Sequence, residues 1–307
     1  MAMLLVALAV HVPAKGQAQS CGDTITRNTK LTADLVGCPG DGLIIGADRV
    51  TLNLNGHTIS GQGAGVGVLA SGRNDVRVKN GTIQQFGDGV RFEAGTTASA
   101  VKNLLASGNT NGIVLDSAND NLVSGNTVEG NGQTGIHLVA SNDNKIDENI
   151  ATGNGSRGIL LDLNSSNNKV TDNRANDNGI DGILLGNGSN DNRVSSNTAS
   201  GNLITGIVLF GVSNTRVKGN KTHDNLSGGI FVFSSSTAAR LIDNRAHRNG
   251  SDGIGVEAAD AATTLKGNHA NDNGDLGIDA PDTVTDGGGN RASGNANPLQ
   301  CTGVRCR

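Results

Sequence analysis

Apolar residues recur along this chain at two intervals, one of two residues and one of 23 to 24. The long interval is marked by Gly65, Gly89, Gly112, Gly135, Gly158, Gly182, Gly206, Gly229, Gly253 and Gly277. An apolar residue follows most of these glycines (Ile113, Ile136, Ile159, Ile183, Ile207, Ile230, Ile254), and two positions on comes another (Leu115, Leu138, Leu161, Leu185, Leu209, Val232, Val256). A second segment centres on Val123, Ile146, Val170, Val194, Val217, Leu241 and Leu265. A third centres on Val128, Ala151, Ala175, Ala199, Thr222, Ala246 and Ala270. Period two is the mark of a strand with one buried face. Gly, Asn and Asp break each unit every few residues, too often for helical hairpins.

Three short strands per unit, each stacked on the same strand of the next unit, predict an all-β, single-stranded parallel β-helix of about ten turns. Parallel crossovers are overwhelmingly right-handed, so a right-handed coil is expected. Asparagine marks its corners. One column runs Asn80, Asn103, Asn126, Asn149, Asn173, Asn197, Asn220, Asn244, Asn268 and Asn290; a second runs Asn131, Asn154, Asn178, Asn202, Asn225, Asn249 and Asn273. Asparagine tolerates the left-handed backbone a corner needs, and its amide can bond the same amide about 4.8 Å away on the next rung. These residues are read as a structural ladder and not as ligands. Before Gly65 the pattern weakens, although Val50, Leu52 and Leu54 still alternate. No linker divides the repeats. The expected organisation is a cap over 21–42, one coil over 43–295 and a terminal clip over 296–307.

Composition agrees with a thin core. The chain has 307 residues with Gly 46, no Trp, no Tyr and five Phe, yet 35% hydrophobic residues, too many for simple disorder. Residues 1–20 read as a secretory leader with cleavage after Ala18, although the usual basic start is missing. No other segment has the length and apolarity to cross a bilayer. The expected location is secreted, periplasmic or at the cell surface. The four cysteines lie at the ends, and in an elongated fold only Cys21–Cys38 and Cys301–Cys306 come within the roughly 7 Å a bridge allows. Such clips suit an oxidising compartment. A lipid anchor at Cys21 is the rival reading, but Ala18-Gln19-Ser20 makes a poor lipobox.

With the inside assigned, alternation gives the outward columns. Beside the first strand stands a polar cluster of Arg91, Glu93, Asp116, His137 and Asp162, grading into Phe210, Phe231 and Phe233. Carboxylates one rung apart would lie about 5 Å from each other, the retaining-glycosidase spacing, and two rungs apart about 10 Å, just beyond the inverting range. The competing reading is a solvated face of Arg91–Glu93 and His137–Asp116 pairs. The phenylalanines mark a ligand surface or the seat of a loop or tail. Before the second strand, Lys145, Lys169, Arg193, Arg216 and Arg240 form a column of five cations. It repels itself unless an acidic polymer, or turn acids such as Asp143 and Asp191, lies between. His223 and His247 share a column and offer a weak metal pair. No cofactor is required, and calcium or another divalent cation has no ligand set in its support. A net charge of −4 and the scarcity of aromatics argue against nucleic acid.

The units ending in Asn-x-Ala-x-x-Asn-x-x-x-Gly-Ile, with the preceding Asn53-Leu54-Asn55-Gly56-His57-Thr58-Ile59-Ser60-Gly61 turn, resemble NosD-type right-handed β-helix proteins over about residues 40–295. That superfamily includes carbohydrate-binding proteins, polysaccharide lyases, uronan epimerases and glycosidases. The resemblance implies the fold and a carbohydrate partner. It carries no catalytic residue across, because no Gly-His-Gly, Asp-Pro-His-Asp or Asn-Thr-Asp signature stands in this chain. The reading is an exported β-helix that binds a polysaccharide, acidic in the sharper version, or a cell-surface partner. The alternatives are a lyase, epimerase or hydrolase using the polar cluster, and a structural or adhesive rod.

Overall fold

The computed structural model describes residues 18–233, 235–257 and 262–307. The leader lies almost wholly outside them. Every strand pairing is parallel, and the coil is right-handed. The first strand of each turn joins one sheet of twelve strands, from Asp23–Ile25 to Ile278–Asp279. The second and third strands form two further columns, fused at Arg77–Gln84 and Ala100–Ser107, where one eight-residue strand runs through both. Twelve rungs at about 4.8 Å make a rod of roughly 55 Å.

The count exceeds the expected ten because the first turns lack the Gly-Ile step. Asp23–Ile25 pairs with Leu43–Ile45, Thr29–Lys30 with Thr51–Asn53, and Leu35–Cys38 with Thr58–Gly61. The 21–42 segment is therefore the first turn of the coil. At the other end, residues 296–302 continue the winding, and Cys301 bridges to Ile278. Cys21 is bonded to Cys38 and Cys301 to Cys306.

One inward side chain per strand step builds a core only a few residues wide, as the small third-strand column requires. Ile136, Leu138, Ile146 and Ala151, from the three strands of one turn, are fully buried. The repeat glycines are needed for close approach: a Cβ at Gly158 would sit 2.7 Å from the Gly182 carbonyl oxygen and 2.8 Å from Asn178 Nδ2.

The asparagine columns are buried ladders. Asn126 Nδ2 donates to Asn149 Oδ1 at 2.9 Å, and the pattern repeats through Asn149, Asn173, Asn197, Asn220, Asn244 and Asn268 to Asn290. The second column runs in the same way from Asn109 to Asn295. A third, not foreseen, passes through Asn121, Asn144, Asn168 and Asn192, with each backbone N–H bonded to the next Oδ1.

Two expectations are corrected. The left-handed residue at the first corner is the one before the asparagine (Glu148, Asp172, Ser196, Asp243), not the asparagine itself. Asn80 and Asn103 do have positive φ, at 61° and 51°, and so occupy that preceding position. The ladder begins two rungs later, at Asn126, and Leu104 fills the slot that faces it, its N–H bonded to Asn126 Oδ1 at 3.0 Å.

Candidate functional site

Two outward surfaces carry the candidate chemistry. On the twelve-stranded sheet, Arg91 is the centre of the polar cluster. Its Nη1 donates to Asp88 at 2.9 Å, its Nε to Glu93 at 2.8 Å, and its Nη2 to Asp116. Burial works against its charge, but the bonds to Asp88 and Glu93 raise its pKa above the ordinary value. Glu93 and Asp116 are in register on adjacent rungs, and one guanidinium occupies both. Asp162 stands apart, with Val139 between it and Asp116, and accepts bonds from the Leu163 N–H and Asn187 Nδ2. The expected His137–Asp116 hydrogen bond is absent among the described residues. His137 lies between Val114 and Leu160 instead. Its Nε2 is buried without a partner, and burial lowers its pKa although Asp162 and Asp88 act the other way.

One column along, Arg157 and Asp181 form a half-hidden pair, Nε to Oδ2 3.4 Å, with Asp181 only 4% exposed. Burial raises the Asp181 pKa, opposed by Arg157 and by the Thr205 N–H. Above the pair opens an apolar concavity of about 380 Å³, walled by Leu184, Ile204, Val208, Phe210 and Phe233. Phe231 stacks on Phe233 at 5.5 Å, and Phe210 meets Phe233 edge-on at 6.5 Å. Phe210 remains 49% exposed. Leu160 and Val208 face the same way but are nearly buried, so this surface is a groove.

Counting in twos misses Arg157 and Asp181. Thr134, Arg157, Asp181 and Thr205 precede the repeat glycine, and counting back from Ile136 or Ile183 would put them inside. The phase breaks at the glycine. The available clue was the aspartate that recurs before the repeat glycine, at Asp88, Asp181 and Asp252, since a carboxylate repeated at that offset would not suit a core.

The second surface joins the second and third strands. Lys145, Lys169, Arg193, Arg216 and Arg240 stand in unbroken register over five rungs. Lys145 is paired with Asp147 at 2.7 Å, which raises the lysine pKa through that hydrogen bond. Among the described residues no ion pair involves the other four, and none joins Asp143 or Asp191 to the column. On the third strand His223 and His247 are in register, but their neighbours are Lys221, Arg245 and Arg248. His223 Nδ1 is bonded to Asp224, and Arg248 grips the same carboxylate through two bonds of 2.9 Å. Among the described residues no group of three or more His, Cys, Asp or Glu side chains is placed to hold a metal.

Parallel strands coiled into a rod, with no helix among the described residues and with charge along the outward columns, define a β-solenoid. The chain belongs to the right-handed β-helix family, whose description "Right handed beta helix region" matches residues 41–199. The description "Periplasmic copper-binding protein (NosD)" matches residues 160–296. No curated protein matches the chain at significant sequence similarity. Among solved structures, a variant of the periplasmic alginate epimerase AlgG is similar at 20% identity and a TM-score of 0.66, covering 87% of this chain and 76% of that one. The A-module of the mannuronan C-5 epimerase AlgE4 from Azotobacter vinelandii is similar at 15% identity and a TM-score of 0.65, covering 94% and 90%. The Dettilon tailspike protein is similar at 19% identity and a TM-score of 0.65, covering 92% and 62%.

Proposed function

We propose that this protein is exported and binds an acidic polysaccharide laid along the rod, over the Lys145–Arg240 column. The observation that carries this reading is five consecutive rungs with a cation each in register, four of them without a carboxylate partner among the described residues. At the strand spacing each adjacent pair repels by roughly 1 kcal/mol even in water. A uronate chain running along the coil brings one carboxylate per sugar, a repeat close to that of the rungs, and turns repulsion into attraction. Two fold relatives are named as epimerases of alginate and mannuronan, both acidic polysaccharides. The terminal disulfides and the periplasmic relatives support export.

The test is binding of alginate and polygalacturonate, with dextran as the neutral control, at low and moderate ionic strength. The acidic polymers should bind and salt should weaken them. Charge reversal in R193E/R216E should abolish binding. Equal binding to dextran, or no effect of reversal, would refute the reading.

Catalysis is a second reading, favoured by the unpartnered His137 Nε2 beside Asp162 and Arg157. Glu93 and Asp116 would not serve it, since Arg91 holds both. New unsaturated ends or shortened chains, lost in H137A, would establish it.

A further inference from the structure

The third-strand face holds a feature that a uronate ladder does not use. Lys221 and Arg245 are in register on adjacent rungs, and two positions on, His223 and His247 are in register as well. These four, with Arg248, line a concavity of about 220 Å³, which holds a tetrahedral anion and several waters at roughly 30 Å³ each. Asp224 stands beside it, but Arg248 already holds that carboxylate through two bonds. Among the described residues no ion pair involves Lys221 or Arg245. The column continues as His269 and Arg291. Two free cations and two imidazoles at the corners of one square suit an oxyanion and repel a metal ion.

We propose that this concavity is a site for a tetrahedral oxyanion, presented as a sulfate or phosphate ester on the glycan that the ladder binds. The carrier glycan rests on the binding function proposed above, while the site stands on its own geometry. Lys221 and Arg245 supply fixed charge, and donors from both rungs reach more than one oxygen, which a planar carboxylate cannot match as well. His247 makes binding depend on pH. His247 faces Arg245 and Arg248 of its own turn, Lys221, His223 and Asp224 of the preceding one, and His269, Asn271 and Asp272 of the next. Burial and then Arg245 lower its pKa. It is therefore neutral at pH 7 and adds charge to the site only as the medium turns acid.

The experiment is a histidine imidazole NMR titration of the full chain with sodium sulfate, which stays a dianion throughout, at constant ionic strength. The resonances of His223 and His247 should shift and saturate while those of His57 and His137 stay still. Affinity should rise from about pH 7.5 to about pH 5.5. K221A and R245A should each weaken binding about tenfold, and R245K should restore most of the loss. Glucose 6-sulfate, glucose 6-phosphate and glucuronate separate the sources: either ester binding at least tenfold tighter than glucuronate supports the site and names its ligand. Equal shifts of all imidazoles, no saturation, or glucuronate binding as tightly as the esters would overturn it. R193E/R216E should leave the sulfate titration intact, and loss of sulfate binding in that variant would also overturn a separate site. If the wild type saturates with sulfate but binds no alginate, the ladder function fails and the oxyanion site survives.

Discussion

Replacing Asn197 by leucine tests whether the corner ladders hold the rod together. Leucine has the same branched outline, and Leu104 already occupies the equivalent slot at the start of the column. Because it fills the space, it admits no water to replace the lost bonds. Asn197 is fully buried; its Oδ1 accepts from the Asn173 N–H at 2.9 Å and from Asn173 Nδ2 at 3.0 Å, while its Nδ2 donates to the Val170 carbonyl at 2.9 Å and to Asn220 Oδ1 at 3.0 Å. In N197L the Asn173 N–H loses its partner, while the Val170 carbonyl loses the side-chain bond and keeps its place in the ladder with the Val194 strand. Asn220 Oδ1 keeps the Asn197 N–H, and Asn173 Nδ2 keeps the Ile146 carbonyl. The orphaned N–H costs about 1–3 kcal/mol and the lost bonds to Val170 and Asn220 about 1 kcal/mol each, less about 2 kcal/mol for the apolar side chain. A net loss of about 2 kcal/mol is expected in denaturant unfolding. In a solenoid, damage is felt first between the affected rungs, so exchange of the Asn173 amide should quicken more than that of amides four rungs away. An unchanged midpoint together with unchanged protection at Asn173 would refute the ladder as a source of stability.

Two further outcomes follow from single side chains. Thr222 sits fully buried between Ala199 and Ala246 in the third-strand column with its hydroxyl unpartnered. T222V keeps its shape and should raise stability by about 1 kcal/mol or more; a lower unfolding midpoint would mean the hydroxyl has a partner in solution. Asp224 is held at a pKa of about 2, first by its bond to Arg248 and then by His223. Its folded value is depressed, so its contribution is present above the ordinary value of 3.8 and is lost as pH falls toward about 2. The side chain is 48% exposed, and screening leaves that contribution below about 1 kcal/mol. D224N should flatten this acid dependence in urea unfolding and tighten sulfate binding by releasing Arg248 and His223; weaker sulfate binding would contradict the charge balance drawn for that concavity.

The fold was legible because each constraint recurs in every turn. Ile136, Leu138, Ile146 and Ala151 state the same inward pattern as Ile159, Leu161, Val170 and Ala175, and one register satisfies them all. The misassigned corner has a physical cause. Asparagine is suited both to the left-handed position and to the ladder, and only the variety at Glu148, Asp172 and Ser196 reveals that the strain falls one residue earlier. Asn80 and Asn103 take the strained position, so composition alone could not separate the two roles.

The surfaces were legible where the pleat persists and obscure where it stops. Lys145 to Arg240 follow strict alternation, so their register could be foreseen. Arg157 and Asp181 precede the glycine at which the phase breaks, and nothing in a period of two would bring them to the groove. Their placement changes what the first sheet can do. Three carboxylates saturate Arg91, leaving it little charge to offer a ligand, whereas Arg157 has one long contact to Asp181 and a buried Nε without a hydrogen bond. Any acidic group entering the apolar groove would meet Arg157 before Arg91. Any chemistry on this sheet is therefore to be sought around Arg157 and His137 and not at Arg91, Glu93 and Asp116.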